Sequence, residues 1–169
     1  MVVTVEQSRL LNKAVADLVA QAEAEEAYLT DFDGNVLAQA SPHDSRSVQG
    51  IAALSAGAFS ATRQLAGLMG EAMFQSVYHQ GHNTHLYMQS LASQFLILVV
   101  FARQTTVGLV KLYVRKLSEE LDPLLRELAG QTAAGVGADR EAFALDPAGR
   151  LFEQRPASPP AAPERRAPP

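Results

Sequence analysis

Three histidines set three residues apart, His79, His82 and His85, form the densest group of metal-ligating side chains in the sequence. Imidazoles at that density bind zinc or nickel, and a loop tolerates such spacing. No fourth ligand stands beside them, and on a strand side chains three apart point to opposite faces. Solvent-exposed turn histidines are the simpler reading; a metal- or small-ligand sensor is its competitor. The string Asp31-Phe32-Asp33-Gly34-Asn35 has the look of a calcium loop, but its glycine falls too early and no distal glutamate follows. Enzyme signatures are missing: there is no G-x-x-x-x-G-K-[ST] phosphate loop, no G-x-S-x-G elbow and no paired-carboxylate spacing. The chain has no cysteine, which excludes a thiolate nucleophile, a thiolate metal site and a disulfide framework. No catalytic residue, cofactor or bound metal is expected.

What remains is a surface. Ile51 to Glu71 reads as one amphipathic helix, in which Ala53, Gly57 and Ala61 recur at every fourth position and stack on one face. Glycine inside a helix costs about 1 kcal/mol relative to alanine, so Gly57 calls for a reason, such as close approach of a second backbone. A small-residue face lying flat on the chain's own sheet is the alternative. Ile51, Leu54, Ala58, Leu65 and Leu68 read as the helix's core-facing stripe. Arg63 is the one charge inside this helix; a lone arginine is commonly a solvated rim residue, and it is also a residue enriched at protein interfaces.

The elements around this helix follow from pattern. Leu11, Val15, Leu18 and Ala22 give a first helix over about 5–23. Ala27–Thr30 and Val36–Ala38 flank Asp33-Gly34, a type I′ hairpin signal in which both central residues take positive φ. Ser45 or Ser47 can cap the central helix, which ends near Gly70. Met73–Tyr78 and His85–Leu91 read as strands around a turn at Gly81-His82-Asn83. Phe95 to Phe101 is apolar at every position, which predicts a central strand covered on both faces. Val110, Val114, Leu117, Leu121, Leu124 and Leu128 trace a last helix, with a kink or restart expected at Asp122-Pro123. The fold class expected is α+β: a five-stranded antiparallel sheet in α-β-β-α-β-β-β-α order, one long helix on one face and two on the other.

Composition sets the limits. The 169 residues are 47% hydrophobic and 19% charged, enough for one domain with an ordinary core. The formal net charge of −4 and the lack of a basic face argue against nucleic acid as partner. The longest apolar run, 95–102, falls far short of the roughly 20 residues that span a bilayer. The first residues lack the order of a signal peptide, so a cytoplasmic location is expected, with no membrane insertion. The expected organisation is a folded domain over 1–129, a linker over 130–154 in which Phe143, Leu145, Leu151 and Phe152 could dock, and a Pro-rich tail over 155–169.

These strings, in this order, resemble the Roadblock/dynein light chain family, and within it the bacterial MglB-like gliding-motility regulators. The likeness rests on Leu29-Thr30-Asp31-Phe32-Asp33-Gly34, Leu54-Ser55-Ala56-Gly57 and Leu65-Ala66-Gly67-Leu68-Met69-Gly70-Glu71. It continues through Phe74, His79-Gln80-Gly81, Leu86-Tyr87, Leu98-Val99-Val100-Phe101 and Gly108-Leu109-Val110-Lys111-Leu112, and covers roughly residues 5 to 128. The resemblance implies a homodimer in which two central helices pack side by side and two third strands pair, with Ala53, Gly57, Ala61, Phe74, Ser76 and Tyr78 at the interface. It also implies that the dimer binds a Ras-like small GTPase of the MglA type and stimulates hydrolysis by fixing its switch segments. Cell polarity or motility, with enrichment at a cell pole, would be the setting. By position the GTPase would meet Phe59, Ser60, Arg63 and Gln64; Gln64 is larger than the small residues such proteins tend to carry there. A dimeric scaffold that binds a GTPase or another signalling partner without changing hydrolysis is the alternative.

Overall fold

The computed structural model describes residues 3–42 and 47–135. Helix α1 (Val5–Gln21) begins where Thr4 and Gln7 satisfy each other: the Gln7 N–H donates to Thr4 Oγ1 at 3.2 Å and the Thr4 N–H to Gln7 Oε1 at 2.9 Å. Its buried residues Leu11, Ala14, Val15 and Leu18 keep the three-to-four spacing. Then come β1 (Glu26–Asp31), β2 (Val36–Ala40), α2 (Val48–Leu68), β3 (Ser76–Gln80), β4 (Thr84–Leu91), β5 (Phe95–Ala102) and α3 (Val107–Gly135). The strands form one antiparallel sheet in the order β2-β1-β5-β4-β3.

The apolar strand takes the central place. In β5, Phe95, Ile97, Val99 and Phe101 turn to the core beneath α1 and α3, while Leu96 and Leu98 turn to the core beneath α2. Strand β1 divides likewise: Ala27 and Leu29 join the first core, Tyr28 the second. The fold class is as expected, with α2 alone on one face and α1 and α3 on the other.

Local features differ from the sequence reading. In the β1–β2 hairpin only Gly34 has positive φ, 86°, so the turn is not type I′. Instead the Gly34 N–H donates to the Asp31 carbonyl, a register shift falls between Leu29 and Thr30, and the Asp31 carboxylate accepts from the N–H groups of Asp33 and Asn35 and the Asn35 amide. An aspartate that holds its own turn competes with the tighter geometry. Strand β3 starts at Ser76, three residues later than expected. Helix α3 runs through Pro123 without a restart, and its buried stripe passes through Leu125, with Leu124 only half-buried. Pro123 lies on the exposed side of the helix.

The largest difference is in α2. Its core face is Ala52, Ser55, Ala56, Phe59 and Ala66; of the expected stripe only Ile51 packs against this core, half-buried, while Leu54, Ala58, Leu65 and Leu68 are exposed. One buried aromatic among small residues lets the helix lie close to the sheet, with Phe59 stacked on Phe32 at 5.8 Å and tilted against Phe74 at 5.2 Å. Ser47 caps the start, its Oγ accepting from the Gly50 N–H at 3.1 Å, while Ser45 lies outside the described residues. Gly70, with φ 82°, closes the other end: the Glu71 N–H donates to the Ala66 carbonyl and the Gly70 N–H to that of Gly67. The segment 143–152 and the Pro-rich tail also lie outside the described residues.

Gly34 holds α2 to the hairpin. A Cβ there would lie 2.8 Å from the Ala53 Cα, and the Gly34 carbonyl accepts from the Gln49 amide at 3.2 Å. Gly34→Ala combines a backbone clash with an unfavourable φ and is expected to cost about 2 kcal/mol or more, read as a lower urea midpoint. An unchanged midpoint would mean that helix and hairpin are not held at this point.

Candidate functional site

With Phe59 turned to the sheet, the opposite side of α2 is left open. Ala53, Gly57, Ala58 and Ala61 are exposed along it, and a Cβ built on Gly57 meets nothing within 4 Å. Beside them Leu54 is 78% and Leu68 86% exposed, and Leu65, Met69 and Met73 continue the patch. A helix apolar on both sides belongs in an interior. A contiguous exposed apolar stripe on a folded domain marks an interaction surface.

One flank of this stripe is polar. Ser60 is half-buried, and Arg63 and Gln64 are exposed. The Arg63 guanidinium lies 4.8 Å above the Phe32 ring centroid, and Phe32 rests in turn on Phe59. Stacking on an aromatic face holds the charge at a fixed place on the surface. Phe59 does not share that surface. It is fully buried, so it cannot meet a partner directly and instead positions Phe32 and Arg63 from below.

The second element of the site is β3, which pairs with β4 on one side and, among the described residues, with no strand on the other. Ser76 and the preceding Phe74 are half-buried, while Tyr78 is 40% exposed with its hydroxyl 3.1 Å from His85 Nδ1. On the neighbouring strand β4, burial pushes the Tyr87 phenol above its ordinary range, opposed by a hydrogen bond with Ser76. An unpaired strand edge is a template for further β pairing. The six residues expected at a self-contact are therefore divided: Ala53, Gly57 and Ala61 lie on the open helix face, Ser76 and Tyr78 lie along the open edge, and Phe74 precedes the strand and packs on Phe59 beneath α2.

The histidines do not converge. His79 and His82 are exposed, whereas His85 is buried with its ring 5.5 Å from that of Phe101. Among the described residues no three His, Cys, Asp or Glu side chains are grouped to hold a metal. The residues missed in the sequence are Leu54, Leu65, Leu68, Met69 and Met73, whose exposure follows from Phe59 being the core anchor. The available signal was that this helix carries apolar residues on both sides, so its periodicity could not choose one.

A five-stranded antiparallel sheet carrying one helix on one face and two on the other defines the Roadblock/longin-like α+β class. The chain belongs to the Roadblock/LC7 domain family, whose pattern matches residues 10–101. Among solved structures it is similar to MglB of Myxococcus xanthus, at 30% identity over 70% of this chain and 96% of that one, with a TM-score of 0.67. It is likewise similar to the gliding protein MglB of Thermus thermophilus, at 30% identity, 75% and 96% coverage and a TM-score of 0.69. A third similar structure is described as MglB with a tetrameric arrangement, at 28% identity, 75% and 96% coverage and a TM-score of 0.70. No curated protein sequence matches the chain. No helix among the described residues is long and apolar enough to cross a membrane.

Because Phe59 supports the site from inside, Phe59→Ala should cost about 3–5 kcal/mol of folding stability. Thermal unfolding would show this. A variant of wild-type stability would put Phe59 at the surface after all.

Proposed function

We propose that this protein is a homodimeric regulator of a Ras-like small GTPase, of the MglA type, and that it acts as a GTPase-activating or co-regulating partner in cell polarity or motility. The observation that carries the reading is the outer face of α2: an open stripe of small and apolar residues flanked by Ser60, Arg63 and Gln64. In this reading the stripe at Ala53, Gly57 and Ala61 meets the same stripe of a second copy, and the open edge of β3 pairs with its equivalent around Ser76 and Tyr78. The similarity to MglB structures, one of them described as tetrameric, supports self-association. The polar flanks of the two helices would then lie together as one platform for the GTPase. The protein would bring no catalytic group; it would hold the switch segments so that the GTPase's own groups align. The work would be done in the cytoplasm, at or near a cell pole.

Gly57→Arg separates fold from assembly. Removing an interior glycine favours the helix by up to about 1 kcal/mol, and nothing within 4 Å obstructs the new side chain in the single chain. The variant should therefore fold well yet run as one chain by light scattering; a mass still equal to two chains would remove the seam from the interface. Ser60→Arg with Gln64→Arg should leave the mass unchanged and abolish GTPase binding in a pull-down on the GTP-loaded form. Undiminished binding would place the GTPase elsewhere.

Single-turnover GTP hydrolysis by the small GTPase of the same organism, with and without this protein, tests the activity. Acceleration of about tenfold or more, at least about 1.4 kcal/mol off the barrier, establishes an activator. A complex on GTP with an unchanged rate would establish the scaffold reading instead.

A further inference from the structure

Helices α2 and α3 pack on opposite faces of the sheet, yet each sends an arginine to the same cleft at the end of the sheet. The cleft has a volume of about 470 Å³, within the roughly 300–1,000 Å³ typical of small-molecule sites. Its lining is mainly polar: Arg63 from α2, Ser118, Asp122 and Arg126 from α3, and Gln89, Ser90 and Ser93 around the β4–β5 turn. Ser118, Asp122 and Arg126 follow one another at four-residue steps, so they stand in a row on one side of α3.

Both guanidinium groups have a partner within the folded chain. Arg63 is stacked on Phe32 at 4.8 Å, and Arg126 is anchored through its Nε, which donates to Asp122 Oδ2 at 2.7 Å. Anchoring through Nε leaves the terminal amino groups of Arg126 available to an incoming oxyanion. Among the described residues of the lining Asp122 is the only carboxylate, and it is already paired, so the cleft has an excess of positive charge within a chain of net charge −4. The turn on its rim keeps two consecutive non-glycine residues in the left-handed region, Ala92 at φ 46° and Ser93 at φ 63°. Positive φ at both central residues, with the Gln94 N–H donating to the Leu91 carbonyl, is the type I′ geometry that joins β4 to β5. The turn places the Ser93 side chain in the lining.

We infer that this cleft binds a phosphate group, with Arg63 and Arg126 as the charged donors and the hydroxyls of Ser93 and Ser118 completing its oxygen contacts. Two neighbouring arginines with short hydroxyl donors suit a compact, doubly charged oxyanion better than a single carboxylate. The site does not depend on the GTPase reading. Arg126 lies on α3, away from the outer face of α2, so a defect confined to the cleft is distinguishable from a defect in GTPase binding.

The test is a titration of the isotope-labelled full chain with inorganic phosphate, followed by the NMR shifts of backbone amides and arginine Nε–H groups. Saturable shifts centred on Ser90, Ser93, Arg63 and Arg126 are expected, weakened about tenfold or more in Arg126→Gln, while that variant keeps wild-type mass and GTPase binding. Arg115→Gln, an exposed arginine outside the lining, should bind phosphate as the wild type does. Non-saturating shifts, an affinity unaffected by Arg126→Gln, or an equal loss in Arg115→Gln would overturn the site. Tighter binding of the dicarboxylate glutarate than of phosphate would overturn the assignment of the ligand.

Discussion

Helix α2 has more apolar surface than one sheet can cover, and much of the molecule is arranged around that excess. Its inner side uses a single large residue, Phe59, among alanines and a serine. The outer side presents leucines beside Gly57. Burying both sides within one chain would need a further layer, and the remaining helices are already committed to the other face of the sheet. The described chain is thus complete as a fold while leaving an apolar surface open, which marks an interaction surface.

That division depends on β5. A strand buried along its length must be central, and centrality requires both faces of the sheet to be covered. Alternate residues of β5 supply both cores, so the faces are coupled through one strand. Arg63 shows how the inner layer reaches the surface: the Phe74–Phe59–Phe32 aromatic row runs from the edge of the core to the guanidinium. Packing beneath the helix thereby sets where a charge stands above it.

Much of the architecture was legible because the decisive patterns were unambiguous. The all-apolar 95–101 run and the three-to-four stripe of α1 each admit few arrangements, the Asp-Gly signal marks where the first hairpin turns, and together they lead to the sheet observed. The side of α2 that faces the core was not legible. Periodicity reports contrast between faces, and a helix with Leu54 and Leu68 on one side and Phe59 among alanines on the other has little. The hairpin geometry was hidden for a different reason: Asp-Gly is compatible with several turns, and the choice was made by the Asp31 side chain. In the site, the helix seam and the strand edge could be read as positions, but burial of Phe59 and the meeting of Arg63 with Arg126 at one cleft depend on how elements cross.

The strand order also has a consequence for synthesis. Strand β1 lies between β2, a few residues away, and β5, which pairs Tyr28 with Leu98. As the chain leaves the ribosome, β1 and β2 can form their hairpin early, but the other edge of β1 stays open until some seventy residues more have emerged. Over that interval α1 and α2 have only half a sheet to lie on, and the second half must close the middle rather than extend an end. Distant pairings of this kind slow folding and prolong exposure of apolar surface. Each nascent chain is therefore most prone to mispairing before its central strand arrives.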